Sequence, residues 1–183
     1  MSVRLFLLER WMPRALQRRM FSQLVRITAA GFETAAPDFR GLSMEEAVVV
    51  FARFTRREAE RVRQAGGAEA LRARDRLYLG ARKMGTAARR AAGIHTREEA
   101  VRALRLLYAA IGIDLDGDPQ SGELTVSRCA FSVIYTPEVC AFISALDAGI
   151  ADGITGGAAL AFAERITQGA PHCSARLSWG PPP

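Results

Sequence analysis

The stretch Thr136-Pro137-Glu138-Val139-Cys140 stands between a run of alternating residues and a glycine-rich segment, and its reading decides the fold. A hydroxyl residue, a proline and an acid in succession predict a helix start. The threonine can cap, proline's fixed φ suits the first helical position, and the carboxylate complements the positive helix end. The helix so opened is expected to run through about Ala151 and to stop at Gly153 or at Gly156-Gly157. Upstream, residues 122–133 alternate as a strand does. Downstream, residues 160–168 and 172–179 read as two strands joined at Gly169-Ala170-Pro171. A strand, a helix and a hairpin following a helical half define an α+β class, with the helical N-terminal half packed on a small antiparallel sheet that carries one inserted helix.

Working outward, residues 1 to about 112 read as helices. Leu5, Leu8, Met12, Leu16, Met20, Leu24 and Ile27 recur at three- and four-residue steps on an arginine-rich background, an apolar stripe kinked or restarted at Pro13. Residues 1–33 therefore form an amphipathic N-terminal helix and residues 43–180 a single α+β domain. The preferred reading docks the stripe on the body or on a second subunit, which makes a homo-oligomer through the helices an expected assembly. The other reading lays residues 1–28 on an anionic membrane surface with Phe6 and Trp11 dipping in. Ser43-Met44-Glu45-Glu46 and Thr96-Arg97-Glu98-Glu99 both have the capping-box form and open helices to about Gln64 and Ile111. Another helix fits residues 68–92, ending at Gly93. Val101, Leu104, Tyr108 and Ile111 share one face of the last helix and read as fold residues without chemistry. Residues 114–119 hold three aspartates, but Thr125 stands where a calcium loop needs its closing glutamate, so this segment reads as a solvated turn.

Composition narrows the function classes. At 183 residues and 49% hydrophobic content the chain can bury a core without disulfides or metal. The formal charge of +6 comes from 25 basic and 19 acidic residues, and every basic residue except Lys83 is arginine. The arginines are interleaved with Glu58, Glu60, Glu69 and Asp75 inside helical patterns, as on a solvated helix face, and no nucleic-acid motif accompanies them. Nucleic acid is not an expected partner. No apolar run reaches the length of a membrane span, and Glu9 and Arg10 interrupt the N-terminal one. Three cysteines cannot all pair within one chain, which suits a reducing cytoplasm.

All three cysteines lie in the second half, as C-x10-C-x32-C. Cys140 is the fourth helical residue if Thr136 caps, near the positive dipole end that favours a thiolate. It equally fits a packed thiol among Val139, Phe142 and Ile143. Cys129 falls on a strand face with Thr125, Ser127 and Phe131, and Cys173 with Ala175, Leu177 and Trp179. Asp147 lies seven residues past Cys140 on nearly the same helix face, about 10 Å along the axis. Ser144 sits between them, so the three can line a slot for a small substrate, Asp147 orienting water or accepting a proton. Asp147 also fits a solvent-facing position, as Asp152 does. His172 points opposite to Cys173, and His95 reads as a surface residue.

Arg128-Cys129-Ala130-Phe131-Ser132, Pro137-Glu138-Val139-Cys140, Leu146-Asp147 and Gln168-Gly169-Ala170-Pro171-His172-Cys173 resemble the C-terminal part of the L-2-amino-thiazoline-4-carboxylic acid hydrolase-like proteins. They are also similar to the 4-vinyl reductase-type small-molecule-binding domains. The resemblance spans residues 97–178, and Gly169-Ala170 stands where those families usually have Gly-Asp. The first resemblance implies hydrolytic opening of a small sulfur- and nitrogen-containing ring or cyclic amide. Cys140, Asp147 and Cys129 would be its catalytic residues, and Ser144, His172 and Cys173 its substrate-binding residues. It also admits a thiolate-bound metal, with zinc held by Cys129, Cys140 and Cys173. The second resemblance implies a non-catalytic sensor or carrier whose cysteines bind metal or simply pack.

Overall fold

The computed structural model describes residues 3–180; Met1-Ser2 of the expected N-terminal helix and the prolines 181–183 lie outside them. The helical half comprises α1 (Val3–Arg10), α2 (Arg14–Gly31), α3 (Met44–Gln64), α4 (Gly67–Ala92) and α5 (Arg97–Ala109). The second half comprises β1 (Ile113–Gly117), β2 (Glu123–Cys129), α6 (Pro137–Thr155), β3 (Ala159–Glu164), a short 3-10 turn (Ile166–Gln168) and β4 (Cys173–Ser178). The four strands pair antiparallel in the order β1-β2-β4-β3, which makes the α+β class and its inserted helix α6 observed features.

Local chemistry explains most boundaries. Ser43 and Thr96 each close a complete capping box with Glu46 and Glu99. Such a cap contributes about 1 kcal/mol to a helix. Thr136 caps α6 by accepting from the Val139 amide, with Pro137 at the first position. Pro13 breaks the first helix into α1 and α2. Leu5 of α1 and Phe21, Leu24, Val25 and Ala29 of α2 join the same core as the rest of the chain, so the expected 1–33 helix is two helices docked on the body. Phe6, Leu7 and Trp11 remain exposed on the outer side.

Two expectations about the strands are corrected. Residues 114–119 are not simply a solvated turn: Ile113–Gly117 pair with β2, and only Asp118 to Gly122 form the turn. Asp114 and Asp116 point outward from that strand while Ile113 points in, so the acidic look of the segment reports one strand face. The strand expected over 122–133 ends at Cys129, and residues 130–135 are turns closed by the Phe131 carbonyl, which accepts from the Ile134 and Tyr135 amides. Of the two stops expected for α6, the helix runs through Gly153 and uses Gly156, at φ 82°, in the left-handed region that favours glycine.

Gly153 serves close approach instead. A Cβ there would lie 2.3 Å from the Arg82 carbonyl oxygen, and one on Gly149 would lie 2.3 Å from that of Tyr78. On the facing helix, a Cβ on Gly85 would meet the Ile150 carbonyl at 2.6 Å. Helices α4 and α6 therefore touch backbone to backbone. Asp152 is not the solvent-side residue expected: it accepts from the Tyr78 hydroxyl and pairs with Arg82 at 2.9 Å, fastening the same two helices. This clamp holds the axial and rotational position of α6, and with it Cys140 and Asp147.

Candidate active site

A cavity of about 100 Å³ lies where α6 meets α5, β2 and β4, and its wall contains Cys129, Cys140, Cys173 and Asp147 together with Tyr108 and Tyr135. The rest of the lining is mostly apolar. Three sulfurs far apart in the chain thus converge on one space, each delivered by a different element.

Cys173 arrives by ordinary strand alternation: Cys173, Ala175 and Leu177 are the buried positions of β4. Cys129 arrives by a device that period-two reasoning misses. Its expected face-mates Thr125 and Ser127 are exposed, yet Cys129 is half-buried and lines the cavity. In the β1–β2 ladder Leu115 faces Val126 while Asp114 faces Arg128, so β2 carries one extra residue at Ser127. This β-bulge reverses the alternation and turns Cys129 inward opposite buried Ile113.

Asp147 is the polar centre of the wall. Tyr108 of α5 donates its phenolic hydrogen to Asp147 Oδ1 at 2.7 Å. Burial raises the Asp147 carboxyl above its ordinary range, opposed by the Tyr108 hydrogen bond and by the charge of Arg165. Burial and the neighbouring carboxylate push Tyr108 well above the usual phenol range, so it stays a donor. Asp147 therefore does not face solvent. Tyr135 is likewise raised by burial, and its hydroxyl is paired with Thr55 of α3.

The cysteines differ electrostatically. Burial pushes the Cys129 thiol up to about 11 and also raises Cys173, whose sulfur accepts the Ile166 amide hydrogen at 3.3 Å. Cys140 sits on the first turn of α6, and Arg165 directs its Nη1 at the sulfur from 3.7 Å. The same nitrogen donates to Ser144 Oγ at 2.7 Å, and the guanidinium stacks on Phe162 at 4.1 Å. A fixed cation and a helix N-terminus thus both lie beside that sulfur.

Some expected site residues take other places. Ser144 donates to the Cys140 carbonyl and accepts from Arg165, so it positions Arg165 and does not line the cavity. His172 lies on the turn before β4 and is not among the lining residues, because the strand alternation that buries Cys173 carries its neighbour away. A three-cysteine zinc site is not formed: among the described residues no three His, Cys, Asp or Glu side chains group as metal ligands. The sulfurs stand around the cavity wall instead of converging on one point, so these residues do not fit the metal.

Tyr108, Tyr135 and Arg165 complete the site without having been singled out. Tyr108 had a usable signal, since a tyrosine on an otherwise apolar helix stripe must find a partner for its hydroxyl once buried. Arg165 had none, sitting in a strand-like run where an exposed position was the natural expectation. Thr167, also in the cavity wall, has a buried hydroxyl with no hydrogen-bond partner among the described residues.

No family model, no curated protein and no solved structure matches this chain. No described helix is long and apolar enough to cross a membrane.

Proposed function

We propose that the protein is a hydrolase-like enzyme that opens a small sulfur/nitrogen heterocycle or cyclic amide. The observation that carries this reading is that Cys140, held by Arg165, and the buried Asp147–Tyr108 pair wall the same small apolar cavity. A nucleophile and a carboxyl whose burial makes it hold its proton more tightly than usual are the two groups such a ring opening requires.

For a cyclic amide, the Cys140 thiolate adds to the carbonyl carbon and the ring C–N bond breaks. The leaving nitrogen takes the proton of the Asp147 carboxyl, giving an open-chain amine, a Cys140 thioester and an Asp147 carboxylate. Water then attacks the thioester, its proton passes to Asp147, and the C–S bond breaks to return the thiolate and release the acid. Both groups end as they began. Seven helical residues separate them by about 10 Å along the axis, so the ring sits between, with one cavity water completing the path to Asp147. The orphaned Thr167 hydroxyl offers a hydrogen bond to the bound ring. Cys129 and Cys173, both raised by burial, act as neutral thiols of the wall.

The alternative, a 4-vinyl reductase-type ligand-binding sensor or carrier, draws on that neutrality of Cys129 and Cys173 and on the apolar lining. The test separates the two. Incubation with five- and six-membered lactams and 2-aminothiazolines, followed by intact-protein mass spectrometry, is expected to show a covalent adduct on Cys140, acyl from the lactams and amidino from the thiazolines, and free ring-opened product. Both are lost in Cys140→Ser. Rings that bind wild-type protein without product or adduct would leave the sensor reading standing and remove the enzyme. The same reading assigns the protein to the cytoplasm, consistent with three free thiols in one small domain.

A further inference from the structure

The cavity of about 100 Å³ is smaller than the 300–1,000 Å³ common for ligand clefts, so by itself it holds only a small head. Beside it lies a second space of about 430 Å³, roofed by Leu5, Leu8 and Met12 of α1 and the turn after it, and floored by Ala87, Ala88 and Ala91 of α4. Alanine side chains keep that floor low, which is why a groove exists there. Its lining is almost wholly apolar, with Arg19 and Gln23 as its polar members. Met20, Met84 and Leu107 belong to the walls of both spaces. Two of these three partition residues are unbranched methionines, whose rotamers rearrange at small cost.

We propose that the groove under α1 receives the aliphatic tail of the same molecule whose ring occupies the cysteine cavity, so that the ligand is an amphipathic ring compound with an alkyl or acyl chain. The inference rests on the cavity holding the ring, as in the proposed function. The occupant is identified by continuity: the groove shares its partition with the cavity, is apolar along its length, and supplies the volume the cavity lacks. The Met20 and Met84 side chains swing aside as the chain passes between them.

The probes are N-methyl-, N-butyl- and N-octyl-2-pyrrolidone, a constant cyclic-amide head on tails of rising length, titrated calorimetrically into the full chain. Each methylene buried in the groove should tighten binding roughly threefold to fourfold, so the octyl compound should bind at least about 100-fold tighter than the methyl one. It should also protect Cys140 from iodoacetamide, since its head fills the cavity. Ala88→Phe raises the groove floor and should cut the octyl-to-methyl ratio at least tenfold; Ala88→Leu, a smaller change, should cut it in the same direction if the phenylalanine variant folds poorly. A flat length series, a ratio untouched by either variant, or octyl binding that leaves Cys140 unprotected overturns the inference. Tail-dependent binding with protection but no ring opening rejects only the hydrolase reading.

Discussion

The Tyr108 hydroxyl donates to Asp147 Oδ1 at 2.7 Å, joining the last helix of the N-terminal half to the helix that carries Cys140. The bond does two opposed things. It favours the ionised carboxylate, while burial of the same carboxyl favours the protonated form, and burial is the larger influence. The net result is a carboxyl that holds its proton more tightly than an exposed one does.

Tyr108→Phe keeps the ring and removes the bond. Leaving a buried carboxyl short of a partner costs about 1–3 kcal/mol. Because the lost bond favoured ionisation, the Asp147 carboxyl rises further. If the protonated acid starts the reaction, the alkaline fall of kcat/KM moves to higher pH in the variant. A rate profile between pH 5 and 9 reads the shift, and movement to lower pH would contradict the assignment of Asp147 as the acid.

Asp147→Asn separates stability from activity. A carboxyl raised in the folded state contributes most to stability at low pH. That contribution is lost as pH climbs from the ordinary carboxylate range through the raised value, where a charge must be buried. The amide has no charge to bury and can still accept from Tyr108. The variant is expected to melt higher than wild type at pH 8, by about 2–4 °C for each kcal/mol relieved, and to lose that advantage toward pH 4. Ring opening should be abolished. Melting curves at the two pH values check the first claim, and product analysis the second.

How much of this site was legible in the sequence depends on which element is considered. Thr136-Pro137 announced α6, and seven-residue spacing put Cys140 and Asp147 on one side of it; both are realised in the capped helix and the shared cavity wall. Cys173 followed from strict alternation. Cys129 did not, because an extra residue at Ser127 shifts the register, and a bulge is a property of two strands that neither states alone. Gly153 looked like a helix end because a glycine near the expected length usually is one. Its use against the Arg82 carbonyl depends on a partner helix some seventy residues earlier. Ring-opening chemistry is not legible at this level, since the same thiols serve binding as readily as catalysis.

Thiol reactivity should follow the geometry. In native protein at pH 7.5, iodoacetamide is expected to label Cys140 at least tenfold faster than Cys129, whose thiol is held near 11, and faster than buried Cys173. Arg165→Gln removes the cation beside the sulfur and should slow Cys140 labelling several-fold. Arg165→Lys should restore it only in part, because an ammonium cannot stack on Phe162 as the guanidinium does and so is held less firmly beside the sulfur. Peptide mapping of timed reactions gives the three rates. Equal labelling of all three cysteines would remove the basis for choosing Cys140.

Gly153→Ala tests whether the α4–α6 clamp sets the site. The added Cβ would fall 2.3 Å from the Arg82 carbonyl oxygen and 2.6 Å from the Thr86 amide nitrogen, both backbone atoms that cannot rotate away. The helices must separate, at a cost of about 1–3 kcal/mol for overpacking of this kind. Gly153 lies well over a turn beyond Asp147 on the same helix, so the separation tilts α6 and lengthens the Tyr108–Asp147 bond. Ala151→Gly, two residues away on the same helix, removes a buried methyl group and costs about 1 kcal/mol of helix propensity without forcing the helices apart. If the clamp positions the site, the two variants lose similar stability, but only Gly153→Ala moves the alkaline limb of the pH profile as Tyr108→Phe does. Identical profiles in both would mean that α6 keeps its place by other contacts.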